Sequence, residues 1–127
     1  MLRKTILIFA ICLLRFAPAQ AAFDLGSLTT VSATEYVDVR GMENFTFIYT
    51  ISGLVTNVVL RPEMSIDGTS WVPIDTTRTD TTITSSNLSS DNAYMDTASS
   101  RAAKYVRVSR VSSSGGTPNV SIKLEMN

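Results

Sequence analysis

The sequence predicts an all-β protein: a single β-sandwich of about seven to nine short antiparallel strands, of jelly-roll or immunoglobulin-like topology, preceded by a signal-peptide helix. Three observations carry this. Apolar residues recur with a period of two, turn-forming residues separate the runs at short intervals, and no window after residue 23 keeps a helical period.

At the N-terminus, Arg3 and Lys4 precede an apolar run from Ile6 to Leu14, which Arg15 ends before the small-residue stretch Ala19-Gln20-Ala21-Ala22. That order of charge, apolar run and small residues is the pattern of a secretory signal peptide. Cleavage is expected after Ala21, with Ala22 as the alternative, so residues 1–21 form the signal. The run is too short for a membrane span, which needs roughly 20 apolar residues. Removal of the signal takes away Cys12, the only cysteine, so the mature chain can form neither a disulfide nor a thiolate site. Arg3, Lys4 and Arg15 leave with it while all eleven acids stay, so a formally neutral chain becomes one with three net negative charges. A mildly acidic surface disfavours nucleic acid and anionic membranes, whose affinity comes from clustered Lys and Arg.

Residues 22–34 form either an N-terminal arm or a first strand, with Phe23, Leu25, Leu28 and Val31 placed around Gly26. As an arm, these four residues would add to the open edge of a neighbouring subunit. The sandwich itself is expected over 35–127. A weak strand from Tyr36 to Arg40 places Val37 and Val39 inward, and Gly41 ends it. Phe45, Phe47, Tyr49 and Ile51 then alternate with Thr46, Thr50 and Ser52 up to Gly53. From Val58 to Ile66 the even positions are Val58, Leu60, Pro62, Met64 and Ile66. Pro62 cannot donate to a ladder, which predicts a sheet edge or a bulge there.

Asp67-Gly68 makes a turn before a short strand from Trp71 to Ile74. Thr81 to Thr84 follows with Ile83 alone inward, then Ala93 to Asp96, then Tyr105 to Val111 with Val106 and Val108 inward. The last strand alternates Val120, Ile122, Leu124 and Met126 with Ser121, Lys123 and Glu125. Thirty-one residues from Phe23 onward are Ser or Thr, which supplies neutral, β-compatible solvent faces.

Catalytic chemistry is constrained by what the sequence lacks. Without histidine there is no Ser-His-Asp or Cys-His arrangement, and without cysteine in the mature chain no zinc or iron-sulfur site. Carboxylate pairs survive as candidates, Asp75 with Asp80 or Asp91 with Asp96, but solvated loop acids are the preferred reading. The same acids offer calcium only a scattered set of oxygens, so no metal and no cofactor is expected. The chain is therefore read as not an enzyme. Trp71, Tyr94 and Tyr105, together with Tyr36, form a candidate stacking platform for sugar rings.

The segment Ser65-Ile66-Asp67-Gly68-Thr69-Ser70-Trp71, with Tyr105-Val106-Arg107-Val108 and the run from Gly115 to Leu124, resembles small β-sandwich domains of phage virion proteins and of secreted bacterial surface proteins. The resemblance covers Tyr36 to the C-terminus and implies a decoration, fibre or adhesion module. Combined with the signal peptide, the expectation is a secreted, extracellular or cell-surface structural protein, with the periplasm as a further location. Its expected partner is itself, in a filament or surface assembly built by the arm. The alternative is a carbohydrate-binding or adhesive module whose partner is a surface glycan.

Overall fold

The computed structural model describes residues 21–54 and 56–127, so the signal-peptide reading of residues 1–20 lies outside them. Nine strands form among the described residues: β1 (Ala21–Leu28), β2 (Val37–Asp38), β3 (Asn44–Ser52), β4 (Asn57–Ser65), β5 (Val72–Pro73), β6 (Thr81–Thr84), β7 (Ala93–Ser99), β8 (Tyr105–Ser114) and β9 (Asn119–Met126). One 3-10 turn, Ser85–Asn87, interrupts them. No helix among the described residues is long and apolar enough to cross a membrane.

The strands form two antiparallel sheets. Sheet A has the order β1-β9-β3-β7, and sheet B has the order β2-β8-β4-β5, with β6 also paired to β4. β5 and β6 occupy one lane beside β4, so they count as a single interrupted strand. The first strand then pairs with the last, β2 with β8, β3 with β7, and β4 with β5 and β6. Such pairing is one long hairpin, and rolling it lays β9 on β3 and β8 on β4. This is a jelly roll. The immunoglobulin alternative is ruled out because it sets strands adjacent in sequence side by side, and no pair in sheet A is of that kind.

Inward residues follow the period of two. β3 buries Phe45, Phe47, Tyr49 and Ile51, β9 buries Val120, Ile122, Leu124 and Met126, and sheet B answers with Val58, Leu60, Ile83, Val106 and Val108. Burying a side chain of this size contributes roughly 1.5–3 kcal/mol, so these strands hold the sandwich together without a cross-link.

Two expectations need correcting. Pro62 lies on a strand inside sheet B, opposite Val108, and not at an edge. Its carbonyl accepts from the Ile74 amide at 3.1 Å, so its missing N–H faces the same lane, at the gap between β5 and β6. The proline interrupts its neighbour and leaves its own strand whole. The bulge falls instead between Val59 and Leu60, where β8 carries the extra residue Val111. Ile66, expected inward, is exposed beyond the end of β4.

Residues 22–34 divide. The part within β1 pairs with β9 of its own chain, burying Leu25 and Leu28, while Phe23 is 39% exposed and Val31 lies open in the following loop. A bulge at Leu25–Gly26, where Gly26 takes φ +89°, turns both leucines toward the core. The chain then crosses to sheet B. Ser32 and Thr34 bind along β8 through Arg110 N–H to Ser32 O (2.8 Å) and Thr34 N–H to Val108 O (2.9 Å).

Candidate functional site

The outer face of sheet B carries the most organised side chains. Ser65, at the end of β4, folds the next turn around its hydroxyl, which accepts from the Gly68 amide at 2.8 Å and the Asp67 amide at 3.2 Å. That hydroxyl donates in turn to Asp67 Oδ1 at 2.9 Å. Asp67 Oδ1 also accepts from the amides of Ser70 (2.8 Å) and Thr69 (2.9 Å). These two amides, and then the Ser65 hydroxyl, hold the Asp67 carboxyl well below the usual carboxylate range. Gly68 closes the turn at φ +80°, a conformation that strains any residue with a Cβ.

This knot precedes Trp71, which meets Tyr36, and Tyr36 in turn meets Tyr105. The Tyr36 and Trp71 ring centroids are 5.6 Å apart at 48°, and Tyr36 meets Tyr105 edge-on at 5.3 Å and 73°. Arg107 Cζ sits 4.2 Å from the Trp71 ring centroid. The guanidinium is itself held by Glu63, with Nε 3.3 Å from Oε1, and the Ser109 hydroxyl donates to the same oxygen. Glu63 is buried although it lies on the outer face. Aromatic cluster and ion pair are therefore one unit, in which Glu63 fixes Arg107 and Arg107 covers one face of Trp71. Tyr36 is the open ring at 50% exposure, and Ile66 and Val72 flank the same hairpin as exposed aliphatics.

Of the four ring residues read from sequence as a platform, Trp71, Tyr36 and Tyr105 come together, with Tyr36 as the bridge. Tyr94 does not join them. It lies on β7 in sheet A, stacked on the buried Tyr49 at 6.4 Å and 6°. Burial, then the nearby Asp96, pushes the Tyr49 hydroxyl well above its ordinary pKa. That hydroxyl has no hydrogen-bond partner among the described residues.

Three of the four acids considered as catalytic pairs are tied to other groups. Asp80 takes Arg61 through two contacts, at 2.6 and 3.2 Å. Asp75 Oδ1 caps its own loop, accepting from the Thr77 amide (2.8 Å), the Thr77 hydroxyl (2.7 Å) and the Arg78 amide (3.2 Å). Asp96 points inward from β7 opposite Phe47, is 2% exposed, and accepts from Arg78 and from the Thr81 hydroxyl at 2.7 Å. It ties the free side of sheet A to sheet B. Asp91 stands in the exposed turn before β7. Among the described residues no group of three or more acids is arranged to hold a metal ion.

The sequence reading missed Arg110, which is 3% exposed and has no carboxylate beside it. It donates to Pro118 O at 2.7 Å, Leu28 O at 3.3 Å and Ser113 Oγ at 2.7 Å, so it joins the end of β1 to the β8–β9 connection. A signal was available: Val106, Val108 and Arg110 share one phase of β8, which puts a cation in an inward position. Glu63 and Arg107 were missed for another reason. They are far apart in sequence, and only the β4–β8 register makes them direct neighbours. Compared with known proteins, the chain matches no family model, no curated protein and no solved structure.

Proposed function

We propose that the chain is an exported, non-catalytic structural and interaction module whose principal contact surface is the aromatic end of sheet B. The observation that carries this reading is the contiguous set Tyr36, Trp71 and Tyr105, with one ring half exposed and the others braced by the Ser65–Asp67 knot and the Glu63–Arg107 pair. Rigid, partly exposed Tyr and Trp rings offer large contact area at small entropic cost, which suits a glycan or an adhesive surface. The tilt between the rings favours stacking on Tyr36 alone over one continuous flat platform.

Trp71 is the only tryptophan, so its fluorescence reports on this end directly. A panel of surface glycans is expected to shift its emission and to shield it from acrylamide, with Tyr36→Ser weakening the effect at least tenfold. Unchanged emission across the panel, together with unaltered retention of Tyr36→Ser on a glycan array, would remove the glycan assignment. Export is tested separately by N-terminal sequencing of the protein recovered outside the cytoplasm, which should begin at Ala22.

The position of β1 favours a second reading, assembly of copies into a filament or surface layer, including a phage-like decoration or fibre role. β1 is an edge strand whose single strand neighbour among the described residues is β9, and it is joined to the rest by an exposed stretch at 29–32. Terminal edge strands of this kind pair with or exchange between copies at low cost.

A further inference from the structure

The two sides of sheet A are complementary to each other. β1 lies on one side and β7 on the other, and among the described residues each has a strand neighbour only on its inner flank. Every pair across the sheet is antiparallel, so β7 runs opposite to β1. A second copy translated along the sheet would therefore set its β1 antiparallel to β7, as a continued ladder requires.

Side-chain phase agrees with strand direction. Phe23 lies opposite Leu124, on the core side of the sheet, yet its place on the edge strand leaves 39% of its surface exposed. Beside β7 an open groove of about 550 Å³ runs between the sheet and the chain after β5. Its lining is mostly polar, with Asp75, Thr76 and Thr97 among it, and Phe45, Ile74 and Ala98 are its apolar members. Cleavage after Ala21 would leave Phe23 next to a new terminal α-ammonium, and Asp75 supplies a carboxylate beside the groove.

We propose that β1 of one molecule docks along β7 of the next, with Phe23 in this groove, so that sheet A continues from copy to copy in an open-ended row. The proposal rests on the assembly reading above and names its surface. Because both copies keep β1 on their own β9, the contact needs no strand exchange. It is short, because the Leu25–Gly26 bulge breaks the regular edge just beyond Asp24. It is also gated: Arg78 Nη2 lies 3.5 Å from Thr97 O and must swing aside before that carbonyl can pair. A short ladder and a single ring make a weak, concentration-dependent contact, and a heterologous one of this kind gives rows instead of closed rings.

The test is sedimentation velocity with negative-stain microscopy on residues 22–127 over a range of concentrations. Rows are expected for the native sequence. Phe23→Ser, and separately Thr76→Trp, which fills the groove from an exposed position, should each weaken association at least tenfold with unchanged circular dichroism. Tyr36→Ser should leave association unchanged. Rows that persist in both Phe23→Ser and Thr76→Trp would overturn this surface and leave assembly standing. A native protein that stays monomeric at every concentration would overturn both, without touching the aromatic end.

Discussion

Sheet A and sheet B share one core but solve different problems. Sheet A is built of strands of seven to nine residues, and its outer face is mostly small polar residues and scattered charges, such as Thr46 beside Thr97 and Lys123 beside Asp24, with Ile48 beside the exposed Met95 as its apolar pair. Sheet B keeps two long central strands, while β2 and β5 have two residues each and β6 has four. Short outer strands free the flanking chain to fold back. The stretch before β2 and the turn after β4 cover the outer face and bury Glu63 and Ser65 there, which happens nowhere on the outer face of sheet A. Regular ladders give stability, and interrupted ones give the loops that organise a site.

The largest effect should come from the regular sheet. Phe47, fully buried on β3, packs against Tyr49 at 6.4 Å and faces the opposite sheet. Phe47→Ala is expected to cost about 3–5 kcal/mol in urea unfolding, because the strands around it are too long to collapse into the void. A loss under about 1.5 kcal/mol would mean that the core of sheet A is softer than its ladders imply.

The organised face of sheet B should respond less in stability and more in local structure. Glu63→Ala leaves the Arg107 guanidinium and the Ser109 hydroxyl without their shared acceptor, at a cost of roughly 1–3 kcal/mol. With its anchor gone, Arg107 should leave Trp71, and the Trp71 emission should move to the red. An unshifted emission maximum in a destabilised Glu63→Ala would show that ion pair and aromatic cluster are independent, which would separate sheet B's stability from its site.

A smaller effect should appear where the sheets are joined. Arg110→Met removes a buried cation but orphans the carbonyls of Leu28 and Pro118, and these opposed terms leave a net loss of about 1 kcal/mol. The informative measurement is hydrogen exchange: amides of β1 should exchange faster while those of β3 do not. Uniform acceleration across both strands would mean that β1 unfolds only with the whole sandwich.

The same contrast explains what could be read in the sequence. Sheet A was legible because Phe45 to Ile51 and Val120 to Met126 each bury one face and solvate the other, so a period of two marks them directly. Sheet B was plainest along β4 and β8, and its short strands β2, β5 and β6 fall where weaker runs predicted them, but Pro62 misled: a missing N–H constrains the neighbouring lane as well as the strand that carries it. The site was half legible. Trp71 announces itself after Asp67-Gly68, but which tyrosines join it depends on which sheet each strand enters, and local pattern holds no information about that. Tyr94 and Tyr105 look alike as isolated aromatic positions, and the roll of the hairpin sends one to sheet A and the other to sheet B. Arg110 could have been found by asking which inward position breaks the apolar phase.

The smallest predicted effect concerns the turn that aims Trp71. Two backbone amides and the Ser65 hydroxyl stabilise the charged form of Asp67, so its carboxyl titrates in the folded protein below its ordinary value of 3.8. A depressed folded pKa means that the contribution is fully present above that ordinary value and is lost as pH falls through the lower one. Since Asp67 is exposed, the effect should be local and modest, visible as a change in Trp71 fluorescence below about pH 4 while the far-ultraviolet circular dichroism of the ladders holds. Asp67→Asn should show no such acid step, because an amide keeps an acceptor oxygen without a titrating proton. If Asp67→Asn retained the full step, the titration would belong to another acid. Asp38 is the one to examine next: its side chain and backbone bonds to Arg40 bring it down to about 2, and it too stands at the aromatic end, on β2 opposite Tyr105.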